Sequence, residues 1–265
     1  MLRHLFMDER FAHPQEAPPL QATALTCLLT DPARHTGFRT SFYTLVRQAL
    51  RVPAGTVPDM PEIHGVDLFP DAPDERKIAF LEGLADLAVA QDCALYRIGY
   101  RANRHAVTTK GDERDILALC FLSVRFCLAE TQPGAVIWPV MELDRTHGRQ
   151  DLHFAGSMQR LDWYAHLLGT EPLSIDNRQF GEVLYHAKAS AYGAMVDCCS
   201  YLLHLRFRRD SGGPMTPFKT RLAQIANRLD PIVQHDEIID LQIGPPPIGY
   251  VQNGPVRFVS PLVGS

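Results

Sequence analysis

The chain lacks the features that most quickly assign a class. No apolar run approaches the ~20 residues of a membrane span, and no apolar leader core follows Met1, so a soluble, unsecreted protein is expected. No CxxC spacing occurs. The six cysteines, Cys27, Cys93, Cys120, Cys127, Cys198 and Cys199, each lie in or beside an apolar run, as buried thiols do in a reduced cytoplasmic compartment. A charge excess is absent too: 26 basic and 30 acidic side chains leave a net −4, so a nucleic acid must be met by a local patch and no membrane partner is expected. There is no internal repeat and no HExxH spacing. A transition-metal site built from His147, His153, His166, His186 and His204 therefore ranks low.

What is present is enough apolar residue, 46% of 265, for one sizeable core. Periodicity predicts strands at LRHLFMDE (2–9) and 20–30, joined across the Pro-rich FAHPQEAPP, then a helix over 36–50 and a short strand. A helix over 74–91, a strand over 93–101, a helix over 111–130 and a strand over 134–144 follow. Next come a helix near 157–168, a strand over 180–187 and a long helix over 190–209. Thr216 and Pro217 suit the start of a last helix running to about Gln234, before a Pro- and Gly-rich tail. The expected fold is α/β, a mixed sheet flanked by helices, with residues 1–210 as the main domain. Residues 211–265 supply an appended C-terminal helix and extended tail packing on the same domain.

Carboxylates sit at the ends of several apolar elements. Asp8 and Glu9 close the first strand, Glu62 lies in MPEIHGVDLF, Glu142 and Asp144 close VIWPVMELD, and Asp197 interrupts the long late helix. Around Asp197, at spacings of three, four and seven, stand Gly193, Ala194, Ser200, Tyr201 and His204, a small and partly polar face. Converging carboxylates repel unless a divalent cation compensates them, and hard oxygen ligands select Mg2+ or Mn2+. Only one of Asp8 and Glu9 can point into such a site, because a strand alternates its faces.

This order of residues resembles family 3800 of the domains of unknown function, whose members are similar to ribonuclease H-like proteins. The resemblance spans roughly residues 3 to 209. The family pattern has a first strand ending Asp-Glu-Ser-Gly, a Glu-x-His or Glu-x-Lys before a short LF segment, and Lys-x-Ser followed by Gln-x-x-Asp on a helix. The resemblance implies a ribonuclease H-like mixed sheet and a metal-dependent nuclease, with Asp8, Glu62, Asp144 and Asp197 as metal acids and Glu9 and Glu142 in reserve. His64 or His186 would move a proton, although His64 also suits a purely structural bond before Gly65. Lys188 and Ser190 match the stretch before the late helix. The chain departs from the pattern at Arg10, Phe11, His186, Ala187 and Ala194, which keeps open a catalytically degraded binding or regulatory module. Basic groups for a polyanion are Arg10, Lys188, Arg206, Arg208 and Arg209, with Lys219, Arg221, Arg97, Arg101, Arg104 and His105 nearby in sequence. Tyr96, Tyr100 and Phe207 are candidates to stack on bases. DNA or RNA as substrate, and a homo-oligomer or partner protein, stay open.

Overall fold

A computed structural model describes residues 1–12, 16, 20–53, 63–102, 110–143, 180, 184–187 and 190–241. The described chain is α/β, with a six-stranded mixed sheet carrying helices on both faces. Strand β1 (Leu2–Arg10) pairs antiparallel with β2 (Thr23–Thr30), and β2 antiparallel with β3 (Ala94–Ala102). On the other side of β1 runs β4 (Val136–Leu143), parallel to it, and β5 (Leu184–Ala187) adds in parallel beyond. With β6 (Val233–Leu241) at the far edge, the spatial order is β5-β4-β1-β2-β3-β6.

Alternation divides the sheet between two cores. Phe6, Leu28 and Leu95 face helices α1 (His35–Leu50), α2 (Asp74–Ala90), α4 (Ala191–Asp210) and α5 (Pro217–Ile225). Leu5, Met7, Cys27, Tyr96 and Ile98 face α3 (Lys110–Thr131). Every residue of β2 is buried, as a strand covered on both faces must be. Helix α4 is buried along most of its length and begins at Ser190, whose hydroxyl accepts from the Gly193 amide. Thr216 caps α5 in the same way, through the Lys219 amide, with Pro217 in its first turn.

Two expectations change. The last helix ends at Ile225 and gives way to a 3-10 turn over Ala226–Leu229; Val233–Leu241 then forms β6, parallel to β3. Its acidic sequence has poor strand propensity, but the register sets Arg97 opposite Asp236 and Arg101 opposite Asp240, so charge pairs support the ladder. The short strand expected after α1 is a turn where it is described, with Phe69 at φ 41°. Near 180–187 the described strand is Leu184–Ala187, with Phe180 making an isolated bridge to Ile137, and 181–183 lie outside the described residues. The helix expected near 157–168 and the tail beyond Leu241 lie outside the described residues.

Gly99 of β3 lies tightly between β2 and β6. A Cβ there would meet the Ile238 Cδ1 at 2.6 Å, the Ala24 Cβ at 2.8 Å and the Thr23 carbonyl at 3.0 Å. Gly99→Ala is therefore expected to lower unfolding free energy by about 1–3 kcal/mol, read as a fall in the urea midpoint at unchanged m-value.

Candidate metal and phosphodiester site

Asp8 stands two residues from Phe6 and two from Arg10 on β1, and both of those side chains lie on the α4 face of the sheet. Alternation puts half-buried Asp8 on that same face. It turns Glu9 to the α3 face with Leu5 and Met7, so Glu9 is not on Asp197's side of the sheet. Asp8 pairs across the ladder with Thr26, whose hydroxyl bonds the Ser200 hydroxyl at 3.2 Å, both residues being buried. Ser200 is one turn beyond Asp197 on α4. Burial, and then the negative fields of Asp197 and Asp8 among its neighbours, push the Cys198 thiol well above its ordinary pKa.

Asp197 is held from the other side by the turn after residue 62. Its Oδ2 is 2.9 Å from His64 Nδ1, and its Oδ1 accepts from the Gly65 amide at 3.3 Å. A carboxylate oxygen accepts, so Nδ1 is the ring nitrogen that carries the hydrogen. Asp197 is 20% exposed and His64 37%, which places the pair at a rim rather than in the core. Gly65 makes this approach possible: a Cβ there would stand 2.6 Å from that of Tyr201. The sequence-level reading of His64 as a turn-fixing hydrogen bonder therefore has its geometry, and Asp197 is the acceptor.

Glu62, Asp144 and Lys188 lie outside the described residues. Glu142 is described as backbone, paired with His186 of β5. Among the described residues no group of three or more His, Cys, Asp and Glu side chains is placed to hold a metal ion. The donors brought to one face are thus Asp8 and Asp197, and their chemistry is that of hard-cation ligands.

The basic residues are engaged internally. Arg10 donates to Glu16 at 2.8 Å; Arg206 donates to Asp230 and, at 2.7 Å, to Asp236. Arg208 donates to the Pro214 carbonyl at 3.0 Å, and Arg209 to Asp210 at 2.8 Å and the Ala223 carbonyl. Tyr96 and Tyr100 are corrected outright: they face the α3 core, with hydroxyls on Thr131 and Ser123, and present no ring to a base. Phe207 lies beneath the Arg97 guanidinium, 5.8 Å from its ring centre. Arg97 itself is buried and paired with Asp236. Arg104 and His105 lie outside the described residues.

Sequence reasoning missed Glu16, which sits in the Pro-rich connection with no pattern to mark it. It also missed the burial of His204. Burial lowers this imidazole to about 3, aided by Arg10, Arg97, Arg208 and Lys219. Glu16, 3.5 Å from Nε2, pulls the other way, but it is shared with Arg10 and outweighed by the cations. The cysteines are all free; Cys127 is half-buried and the others buried, and burial raises each described thiol above its ordinary pKa, so they are inert packing groups. No helix among the described residues is long and apolar enough to cross a membrane. Compared with protein-family models, curated proteins and solved structures, the chain matches none.

His204 generates a pH dependence. Its folded pKa lies below the ordinary 6.5, so between pH 6.5 and about 3 the unfolded chain takes up a proton that the folded chain refuses. Stability from this residue is complete above pH 6.5 and is lost as pH falls, at up to roughly 1.4 kcal/mol per pH unit. Urea midpoints measured from pH 7 to 4 should therefore fall less steeply for His204→Gln than for wild type.

Proposed function

We propose that the chain is a ribonuclease H-like, divalent-metal-dependent nuclease that hydrolyses phosphodiester bonds of nucleic acid. The observation that carries this reading is that Asp8, near the carboxyl end of β1, pairs in the ladder with Thr26, whose hydroxyl bonds Ser200 on α4 one helical turn from Asp197. The topology supports it. An antiparallel run of β1, β2 and β3 is extended past β1 by parallel β4 and β5, as a ribonuclease H-like sheet requires. Ligands of such sheets bind at the carboxyl ends of parallel strands where connections diverge. Asp8 lies two residues before the end of β1, and Asp144 follows in sequence the last residue of its parallel neighbour β4.

In this reading Asp8, Glu62, Asp144 and Asp197, with Glu142 in reserve, would hold Mg2+ or Mn2+, which would supply an activated water and stabilisation of the leaving oxygen. The protein's part is to keep Asp8 and Asp197 fixed on their elements. His64, oriented by its bond to Asp197, stands at the rim where it can move a proton. The second reading, a degraded binding or regulatory module, is favoured by the departures at Arg10, Phe11, Ala187 and Ala194, which replace residues that would support the metal acids.

Purified protein free of contaminating nuclease should cleave DNA, RNA or a hybrid with magnesium or manganese, lose activity in EDTA, and work poorly with calcium. Asp8→Asn and Asp197→Asn should each lower cleavage by at least a hundredfold and reduce the stabilisation that magnesium gives in a thermal melt. Retained binding with no cleavage on any substrate selects the module. Equal magnesium stabilisation in wild type and Asp197→Asn removes Asp197 from the metal site.

A further inference from the structure

Beside the Asp8 face, one carboxylate sits among cations that it does not fully satisfy. Glu16 Oε1 lies 2.8 Å from Arg10, 3.5 Å from His204 Nε2 and 3.8 Å from Arg208. Its side chain is only 10% exposed, and its second oxygen, Oε2, is buried with no hydrogen-bond partner among the described residues. Arg10 is two residues beyond Asp8 on the same face of β1, about 7 Å along the strand. A narrow crevice is lined by Arg10, Thr26, Arg97, Ser200, His204 and Phe207, and Thr26 is the ladder partner of Asp8.

We infer that Arg10, Arg208 and His204 form a binding site for one phosphate group of a nucleic acid strand, and that the Glu16 carboxylate is its internal stand-in. A carboxylate offers two oxygens in a plane, whereas a phosphate offers three or more in a tetrahedral array. Guanidinium groups recognise either anion through charge-assisted, often bidentate, hydrogen bonds. The seat is built for more acceptors than Glu16 delivers, since one of its own oxygens goes unused among the described residues while Arg208 and His204 remain beyond ordinary hydrogen-bond distance of the other. The neutral imidazole of His204 adds a donor without adding charge, and its burial shields the anion from water. A phosphate seated here would be a neighbour of the one attacked near Asp8, so the cluster would set the register of the strand. The inference rests on the phosphodiester reading for its ligand, but the binding it describes needs neither metal nor cleavage.

The test compares wild type, Glu16→Gln and Glu16→Gln/Arg10→Gln as full-length chains in EDTA, with inorganic phosphate and a single-stranded oligonucleotide as probes. Glu16→Gln should bind the oligonucleotide about tenfold more tightly than wild type. Its plot of log affinity against log salt should steepen by about 0.7, the slope of one further phosphate contact on a single strand. Phosphate should raise its melting temperature beyond chloride of equal ionic strength, more than in wild type, and the double variant should lose both gains. Glu16→Ala, which empties the seat altogether, repeats the comparison if Glu16→Gln is poorly folded. A variant that melts lower and gains nothing from either probe shows Glu16 to be a structural tie and overturns the site. A gain for phosphate with none for the oligonucleotide overturns the nucleic-acid assignment. If these gains appear while cleavage fails under every metal, the nuclease reading is lost and the phosphate site stands.

Discussion

The seating of α4 on β1 and β2 is the contact on which the rest depends. The helix is too apolar to fix its own rotation by amphipathicity, since buried residues run round its circumference. Two directional contacts fix it instead. At its start Tyr192 stacks on Phe6, with ring centres 4.8 Å apart, and on Phe38 at 3.9 Å, tying the helix to β1 and α1. Two turns on, the buried bond between Ser200 and Thr26 sets the phase of the helix against β2. With that phase set, Asp197, three residues before Ser200, must fall on an adjoining part of the same face, where the sheet ends and water begins.

A second constraint holds the far end of α4. Arg97 of β3 is buried and must be paired, and Asp236 of β6 pairs it while also accepting from Arg206 of α4. Arg206 reaches on to Asp230, just past the 3-10 turn. One charge network therefore ties β3, β6, α4 and the turn before β6 together. Burial lowers the Arg97 pKa despite Asp236, a sign that the guanidinium is held in a poorly solvated place by its partners. Breaking the pair on either side would leave a buried charge uncompensated, which is why such a network specifies an arrangement more than it stabilises one.

The elements legible in the sequence were those whose signal is local. Strands β1 to β4, helices α1, α2 and α4 and the Thr216 cap follow from period and cap chemistry, and they match the observed bounds within a few residues. β6 was illegible because its evidence is non-local: HDEIID reads as strand only once Arg97 and Arg101 stand opposite it. Tyr96 and Tyr100 misled for the complementary reason. A stretch alternating arginine with aromatic residues looks like a nucleic-acid patch, yet on a central strand the same alternation sends the rings into one core and the arginines into a salt-bridge layer. At the site, the choice of Asp8 over Glu9 for the α4 face and the His64 bond to Asp197 emerge only from the sheet's faces and the approach allowed by Gly65.

That bond also bears on how a carboxylate can be structural and a ligand at once. Each carboxylate has about four lone-pair positions. His64 and the Gly65 amide occupy one on each oxygen of Asp197, leaving one on each. An acid oriented by two donors in this way loses little rotamer entropy on meeting a cation, because its direction is already set. The same two bonds anchor the turn at His64 and Gly65. On this arrangement the two hydrogen bonds set the direction of the Asp197 carboxylate and leave a lone pair on each oxygen for a cation. The turn-holding role of Asp197 is then what a metal ligand at this position needs, and does not by itself argue against one.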